Sequence, residues 1–128
     1  MAVREVAVDG SADPDLVWER YADLTRWPTW SPQISRADAP GLRLAAGLEG
    51  RVRVVGGLLV PFVITAVDPV ARRWSWRVSV LGISLQLDHG VEVLPAGARA
   101  TLRLVGPLPV VAAYAPLTRL ALRRLTRP

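Results

Sequence analysis

Residues 73–94 read RWSWRVSVLGISLQLDHGVEVL, and apolar and polar residues alternate on both sides of Leu81-Gly82. Alternation with a period of two is typical of a β-strand that buries only one face. The Leu81-Gly82 pair lies where a short turn would join two such strands. The stretch therefore predicts two antiparallel strands, near 73–80 and 84–94, that share one apolar face.

The same period extends over residues 33–106. It predicts four more strands, near 34–38, 48–55, 59–67 and 98–105. Gly56-Gly57, between VRVV and LLV, predicts a two-residue hairpin. Because every neighbouring pair is joined by a short turn, we expect an antiparallel sheet. Val3, Val6 and Val8 predict a further short strand at the start of the chain.

Helical signals flank this region on both sides. Asp13 is a good N-cap, and Pro14 suits the first position of a helix, where an N–H is not needed. Trp27-Pro28-Thr29-Trp30-Ser31-Pro32 predicts a compact turn or a short second helix, since Pro32 discourages continuation.

After Gly106 the pattern predicts a long helix over 110–127. Its expected apolar face comprises Val110, Ala113, Leu117, Leu120, Ala121 and Leu125. Pro116 predicts a kink or a restart within it. The apolar face of the sheet must be buried, and this helix is its only large apolar partner. We therefore expect a pocket between the sheet and the helix.

Composition narrows the chemistry. The 128 residues favour one domain, and the chain has no Cys and a single His, His89. These counts exclude disulfides, thiolate zinc sites, a cysteine nucleophile and a multi-histidine metal centre. We expect no cofactor and no metal. Charge-free runs fall short of the roughly 18 residues that span a bilayer, so we expect a cytoplasmic protein without stable membrane insertion.

The net charge of +5 comes entirely from arginine, because the chain contains no lysine. Six arginines alternate to the face of the sheet opposite the apolar one: Arg51, Arg53, Arg73, Arg77, Arg99 and Arg103. Nucleic acid would suit such a face, but no aromatic residue interleaves with the arginines. A solvated face with local ion pairs is the preferred interpretation, and we expect no nucleic-acid partner.

Four pieces of the sequence resemble the START-like, helix-grip superfamily (SRPBCC, Bet v 1-like), and most of all its polyketide cyclase/dehydrase-like branch. They are Val17-Trp18…Asp23…Trp27-Pro28-Thr29-Trp30-Ser31-Pro32, then Ala66-Val67-Asp68-Pro69 with Arg72-Arg73-Trp74-Ser75-Trp76, then His89…Pro95…Gly97, and finally Val105-Gly106-Pro107-Leu108. The resemblance implies one α+β domain over residues 1–128. It implies a seven-stranded antiparallel sheet around a long C-terminal helix, with two short helices after the first strand.

The same resemblance implies a hydrophobic cavity. Members of the superfamily bind lipids, sterols, plant hormones and polyketides, and some are aromatase/cyclases. Since one fold hosts several functions, the resemblance does not fix the function.

The alternation of residues within the predicted strands, together with the apolar face of the last helix, indicates which side chains would contact a ligand. The residues expected to contact a ligand are Trp74, Trp76, Val78, Leu87, His89, Leu102 and Leu104 on the sheet, with Tyr114 and Leu117 on the helix. The Tyr114 hydroxyl is equally consistent with a position in the cavity and with one at the surface. Filling the core and lining a cavity are equally consistent with this pattern, because in such a fold they involve the same surface.

His89 is the one catalytic candidate. As an inward histidine it is a general base, an orienting hydrogen-bond partner or a satisfied core residue. A bulge at Gly90 would instead expose it. Asp88 alternates to the opposite face, so Asp88-His89 is not part of a catalytic triad.

Three function classes follow from these patterns. The leading hypothesis is a binding module for a small apolar molecule, oriented by His89 and Tyr114. The alternative is a polyketide cyclase/aromatase-like enzyme with His89 as base and Tyr114 or a tryptophan N–H as donor. The third is an interaction protein that uses its arginine exterior or pairs through an edge strand.

Overall fold

A computed structural model describes residues 1–128. The strands are β1 (Ala2–Gly10), β2 (Ile34–Asp38), β3 (Glu49–Val54), β4 (Leu59–Asp68), β5 (Arg73–Val80), β6 (Ile83–Leu94) and β7 (Gly97–Gly106). The helices are α1 (Pro14–Ala22), α2 (Trp27–Trp30) and α3 (Leu108–Leu125), with a 3-10 turn at Leu24–Arg26. Every predicted strand is present, and the two short helices follow β1 as expected.

The strands form one seven-stranded antiparallel sheet in the order β1-β7-β6-β5-β4-β3-β2. Register shifts interrupt the pairing only near Ile34/Arg36 and Ile64/Ala66. Helix α3 packs on one face of this sheet, most extensively against β1 and β7. The α+β helix-grip fold is therefore confirmed.

Local chemistry explains where α1 begins. The Asp13 side chain accepts a hydrogen bond from the Asp15 N–H at 2.8 Å, and Pro14 occupies the first turn. Val17 and Tyr21 then point into the core and are fully buried. The predicted start of the helix is confirmed.

The buried face of α3 differs from the predicted one. The buried residues are Val111, Ala115, Thr118, Ala121, Leu122 and Leu125. Leu117 is 41% exposed, Leu120 is 40% exposed and Ala113 is also exposed, so the placement of these three residues on the buried face was wrong. The Thr118 hydroxyl donates to the Ala115 carbonyl at 2.7 Å, and this satisfied polar group occupies the face where a leucine was expected.

Helix α3 continues through Pro116, so the restart that we considered there is wrong. Pro116 and Ala112 are both exposed. Water can therefore hydrogen-bond the Ala112 carbonyl, which lacks an N–H partner because proline has none.

The hairpins also differ in detail from the prediction. Four residues, Val55–Leu58, join β3 to β4, and the Gly57 N–H donates to the Val54 carbonyl at 2.9 Å. The two-residue turn is instead Leu81-Gly82, where φ is +50° and +79°. Positive φ at both positions defines a type I′ turn, which suits the twist of the flanking strands.

The arginine-rich outer face is only partly neutralised. Arg99 pairs with Asp9 at 2.6 Å, and Arg103 lies 3.7 Å from Asp88. Arg51, Arg53, Arg73 and Arg77 form no salt bridge. The expected ion pairs thus cover the β1-β7-β6 side of the face and not the β5-β4-β3 side. No helix of the chain combines the length and the apolarity that crossing a membrane requires.

Candidate functional site

A cavity of about 310 Å³, here called the outer cavity, lies between the middle of the sheet and the first half of α3. Of its 13 lining residues, 12 are hydrophobic. The sheet contributes Ile34, Val52, Val54, Val60, Trp76, Val78, Val80 and Leu85, and the rest are Gln33, Val55, Leu58, Val110 and Tyr114. Val55 is 74% exposed and Leu58 46%, so the cavity opens beside the β3–β4 turn.

Strand register assembles the apolar wall. Val52 pairs with Val60, and Val78 pairs with both Phe62 and Leu85. Directly paired residues share one face of a sheet, so alternation in four separate strands places their apolar side chains together. The facing of Phe62 and Ile64, which the sequence left open, is inward, since both are buried.

A second, smaller space is lined mainly by buried residues, and we call it the inner recess. Its volume is about 30 Å³. Its lining residues are Tyr21, Trp30, Ser31, Gln33, Ile34, Trp76, Leu87, His89, Leu102, Tyr114, Thr118, Ala121 and Leu122. Gln33, Ile34, Trp76 and Tyr114 line both spaces, so the two spaces are adjacent.

Trp74 does not line either space. Its ring stacks on that of His89 with centroids 3.8 Å apart and planes within 3°. The Trp27 ring stacks on the Trp74 ring with centroids 5.8 Å apart, and the Tyr21 ring meets the Trp74 ring edge-on with centroids 5.4 Å apart. Trp74 is thus the centre of an aromatic core, whereas Trp76 forms the cavity wall.

His89 faces inward and is 7% exposed. Pairing of β6 with β5 and β7 continues through His89 and Gly90 without a shift, so no bulge turns the ring outward. Its Nδ1 lies 3.2 Å from the Trp74 carbonyl oxygen. Burial lowers the pKa of His89 to about 3, against the weaker opposing effects of that carbonyl and of Asp88. The ring is therefore neutral and only weakly basic.

Five buried side-chain polar atoms have no hydrogen-bond partner: Tyr21 Oη, Ser31 Oγ, Gln33 Oε1, Trp74 Nε1 and Trp76 Nε1. All but Trp74 belong to residues that line the inner recess. Gln33 Nε2 donates to Tyr114 Oη at 2.8 Å, and burial raises the pKa of the Tyr114 hydroxyl. Burial also raises the pKa of the Tyr21 hydroxyl, so Tyr21 and Tyr114 are both protonated near neutral pH.

The structure brings most of the predicted site residues together. Trp76, Val78 and Tyr114 line the outer cavity, and Leu87, His89 and Leu102 line the inner recess. Trp74, Leu104 and Leu117 line neither. Leu104 is fully buried within the core, and Leu117 faces solvent.

Sequence reasoning missed two polar residues that line the mostly hydrophobic recess. Ser31 and Gln33 lie between α2 and β2, where no periodicity indicates a direction. Tyr21 lies at helical spacing in α1, which predicted burial but not the neighbouring space. The valines of β3 did carry a signal, because Val52 and Val54 alternate with Arg51 and Arg53, whereas Val60 of β4 lies between Leu59 and Pro61. No group of three or more His, Asp or Glu side chains is placed to hold a metal ion, and the expected lack of a cofactor stays a prediction.

Comparisons with known proteins agree with this architecture. An uncharacterised protein of Mycobacterium tuberculosis is 28% identical over 130 residues, which cover 94% of this chain and 77% of that protein. The crystal structure of Ara h 8.0201 superposes with a TM-score of 0.77 at 13% identity, covering 97% of this chain and 94% of the other.

The di-domain ARO/CYC protein BexL from the BE-7585A biosynthetic pathway gives a TM-score of 0.82 at 20% identity. The match covers 98% of this chain and 45% of the di-domain protein. At these identities the two structures show the shared fold alone. Residues 1–127 match the model of the family described as polyketide cyclase / dehydrase and lipid transport, and the chain belongs to that family.

Proposed function

We propose that the chain binds a small, mostly apolar molecule in the outer cavity. The observation that carries the proposal is a space of about 310 Å³ in which 12 of 13 lining residues are hydrophobic. Ligand sites typically measure roughly 300–1,000 Å³ and combine an apolar lining with a few polar groups. Burial of ligand hydrocarbon contributes roughly 25 cal/mol per Å² before the costs of association.

The geometry favours binding over acid–base catalysis. A cyclase of the kind considered above needs a base whose pKa lies near the working pH. Burial holds the pKa of His89 at about 3, and the ring is stacked against Trp74. The chain's only histidine is therefore suited to packing and hydrogen bonding rather than to abstracting a proton.

Filling the outer cavity tests this proposal. Val78→Phe adds a ring to the apolar wall, and it should weaken binding of the uncharged dye N-phenylnaphthylamine by about tenfold, equivalent to about 1.4 kcal/mol. Binding is measured from the dye's fluorescence. Val105→Phe is the matched control, because Val105 is partly buried on β7 and lines neither space. Equal affinity of the Val78→Phe variant and the unsubstituted protein would place the dye elsewhere and refute the proposal.

A further inference from the structure

Large apolar side chains are exposed mainly at one end of the sheet, here called the apolar end. Because neighbouring strands are antiparallel, β3, β5 and β7 end where β1, β4 and β6 begin. Eight of the 13 exposed large hydrophobic residues lie there: Met1, Val3, Val55, Leu58, Leu59, Leu81, Ile83 and Leu108. Single exposed apolar residues are ordinary, whereas a group of them marks a contact surface.

The sequence has no charge in the segments that build the apolar end. Residues 54–67, 78–87 and 104–118 contain no charged residue, and they include the β3–β4 turn, the β5–β6 turn and the start of α3. The opposite end differs, since Asp68 and Arg72 flank Pro69 in the β4–β5 turn. The apolar end is therefore a local feature and not a consequence of the overall composition.

Arginines surround the apolar end. Counted from this end, the first charged residue of five strands is an arginine: Arg4 in β1, Arg36 in β2, Arg53 in β3, Arg77 in β5 and Arg103 in β7. Arg36 and Arg103 lie within salt-bridge distance of acidic residues. Arg4, Arg53 and Arg77 are exposed and form no salt bridge, and we call these three the arginine collar.

The outer cavity opens at the same end. Val55 and Leu58 line it while 74% and 46% exposed, respectively. Val80, the last residue of β5, and Val110, in the first turn of α3, line it as well. A surface that covers the apolar end therefore also faces the mouth of the cavity.

The charges distinguish between two occupants of the apolar end. A second copy of the chain, in a symmetric pair, would bring one arginine collar against the other, and like charges across an interface repel. An anionic bilayer instead offers phosphates to the arginines and acyl chains to the apolar side chains. The lipid surface therefore fits both the apolar residues and the charges around them.

We propose that the apolar end docks on the surface of an anionic lipid bilayer, with its exposed apolar side chains in the headgroup region and the arginine collar on lipid phosphates. Docking brings the mouth of the outer cavity to the lipid. This inference goes beyond the proposed function, because it depends on the outside of the molecule and not on what the cavity holds.

Cosedimentation with extruded vesicles tests the docking. The chain should bind phosphatidylcholine vesicles that contain about 30% phosphatidylglycerol at least roughly tenfold more tightly than pure phosphatidylcholine vesicles, because each arginine near an anionic surface contributes about fivefold in affinity. The difference should shrink as the salt concentration rises from about 0.15 M to about 1 M, since salt screens exposed charges.

A first pair of variants tests the apolar contact. Leu81→Asn combined with Leu108→Asn removes two side chains that are 88% and 62% exposed, and it should weaken binding to the anionic vesicles by about tenfold. Val70→Asn combined with Val93→Asn is the matched control. Val70 and Val93 are 92% and 65% exposed but lie toward the opposite end of the sheet, so vesicle binding should be unchanged.

A second pair of variants tests the charges. Arg53→Gln combined with Arg77→Gln should weaken binding to the anionic vesicles by about tenfold or more and leave binding to pure phosphatidylcholine unchanged. Arg127→Gln is the control, since Arg127 is exposed and follows α3 at the opposite end. The Thr126 carbonyl beside it accepts a hydrogen bond from the Ala12 N–H at 3.1 Å, just beyond the last residue of β1.

The possible results separate docking from ligand binding. Val78→Phe fills the outer cavity and should leave vesicle binding unchanged, so a loss of vesicle binding in this variant would overturn docking by the outer surface. Equal binding to both kinds of vesicle, or equal losses in the test and control variants, would overturn it as well. A chain that ignores vesicles but forms a dimer in analytical ultracentrifugation, lost on Leu81→Asn with Leu108→Asn, would assign the apolar end to a second copy. The dye assay of the proposed function is independent of all these outcomes.

Discussion

Trp74 and Trp76 lie two positions apart on the same face of β5, yet they occupy different environments. Trp74 is enclosed by Trp27, Tyr21 and His89, whereas Trp76 borders both spaces beneath α3. The alternation of apolar and polar residues in β5 correctly predicts that Trp74 and Trp76 both point inward. Which of them meets a cavity depends on where α2 packs, and a strand pattern contains no information on that contact.

His89 provides a prediction about pH. Burial lowers its pKa from the ordinary value of about 6.5 to about 3. Below pH 6.5 the unfolded chain binds a proton that the folded chain does not, so the free energy of unfolding should fall as the pH decreases from about 6.5 toward 3. Because His89 is the only histidine, its ring resonances in an NMR titration should stay those of the neutral form between pH 8 and pH 5, as expected from the buried ring.

A His89→Phe variant serves as the control, since it keeps a ring against Trp74 and removes the titration. Its unfolding free energy should depend less on pH over the same interval. A His89 titration midpoint near 6.5 in the folded protein would contradict the buried, neutral ring.

At the level of elements, the strands follow from the sequence closely and the last helix less so. The β5–β6 pair was predicted at 73–80 and 84–94 and runs from Arg73 to Val80 and from Ile83 to Leu94. Because side chains alternate between the two faces of a strand, the apolar residues of a strand with a period of two can lie on only one face of the sheet. In α3 the stripe of apolar residues is broad, and Thr118 is buried where leucine was expected.

The lack of a local sequence signal also explains why Ser31 and Gln33 were not predicted as residues of the site. Two polar residues of the recess lining, Ser31 and Gln33, lie in a connection between elements. The position of such residues depends on how α2 docks onto β2 and α3. That docking is a tertiary contact without a local sequence signal.

The Leu81-Gly82 turn gives a prediction about stability. Leu81 has φ of +50° and is 88% exposed, a conformation that an ordinary side chain adopts only at a cost. Asparagine tolerates this conformation and is favoured at the first position of such turns. Leu81→Asn should therefore raise the free energy of unfolding by about 0.5–1 kcal/mol, measured by urea denaturation.

Val70→Asn is the matched control for removing an exposed apolar side chain. Val70 is 92% exposed and is not among the residues with positive φ. Its substitution should change stability by no more than about 0.5 kcal/mol. If Leu81→Asn is neutral or destabilising, strain in this turn is not the explanation.

At the level of the whole molecule, the two faces of the sheet have different chemistry. The inner face holds the aromatic core and the two spaces, and the outer face holds arginines, several of them paired with acidic residues. Four of the five tryptophans, Trp27, Trp30, Trp74 and Trp76, are buried and unavailable to stack on a nucleic-acid base. The fifth, Trp18, is half-buried and packs against the core.

We therefore predict that the chain does not bind nucleic acid specifically. Unpaired arginines such as Arg51 and Arg77 support only contacts with phosphates, which weaken as salt increases. A gel-shift assay with single- and double-stranded DNA at physiological salt should show no retarded band. A band that persists at this salt concentration would assign a nucleic-acid function to the outer face.

Intermolecular nuclear Overhauser effects between octanol and the valine methyl groups test most directly whether the gap beneath α3 is a ligand site. We predict cross-peaks from the octanol chain to Val52, Val60 and Val78, which line the outer cavity, and none to Val105. Cross-peaks confined to Val105 or to other methyl groups outside the cavity, or no cross-peaks at saturating octanol, would contradict the account.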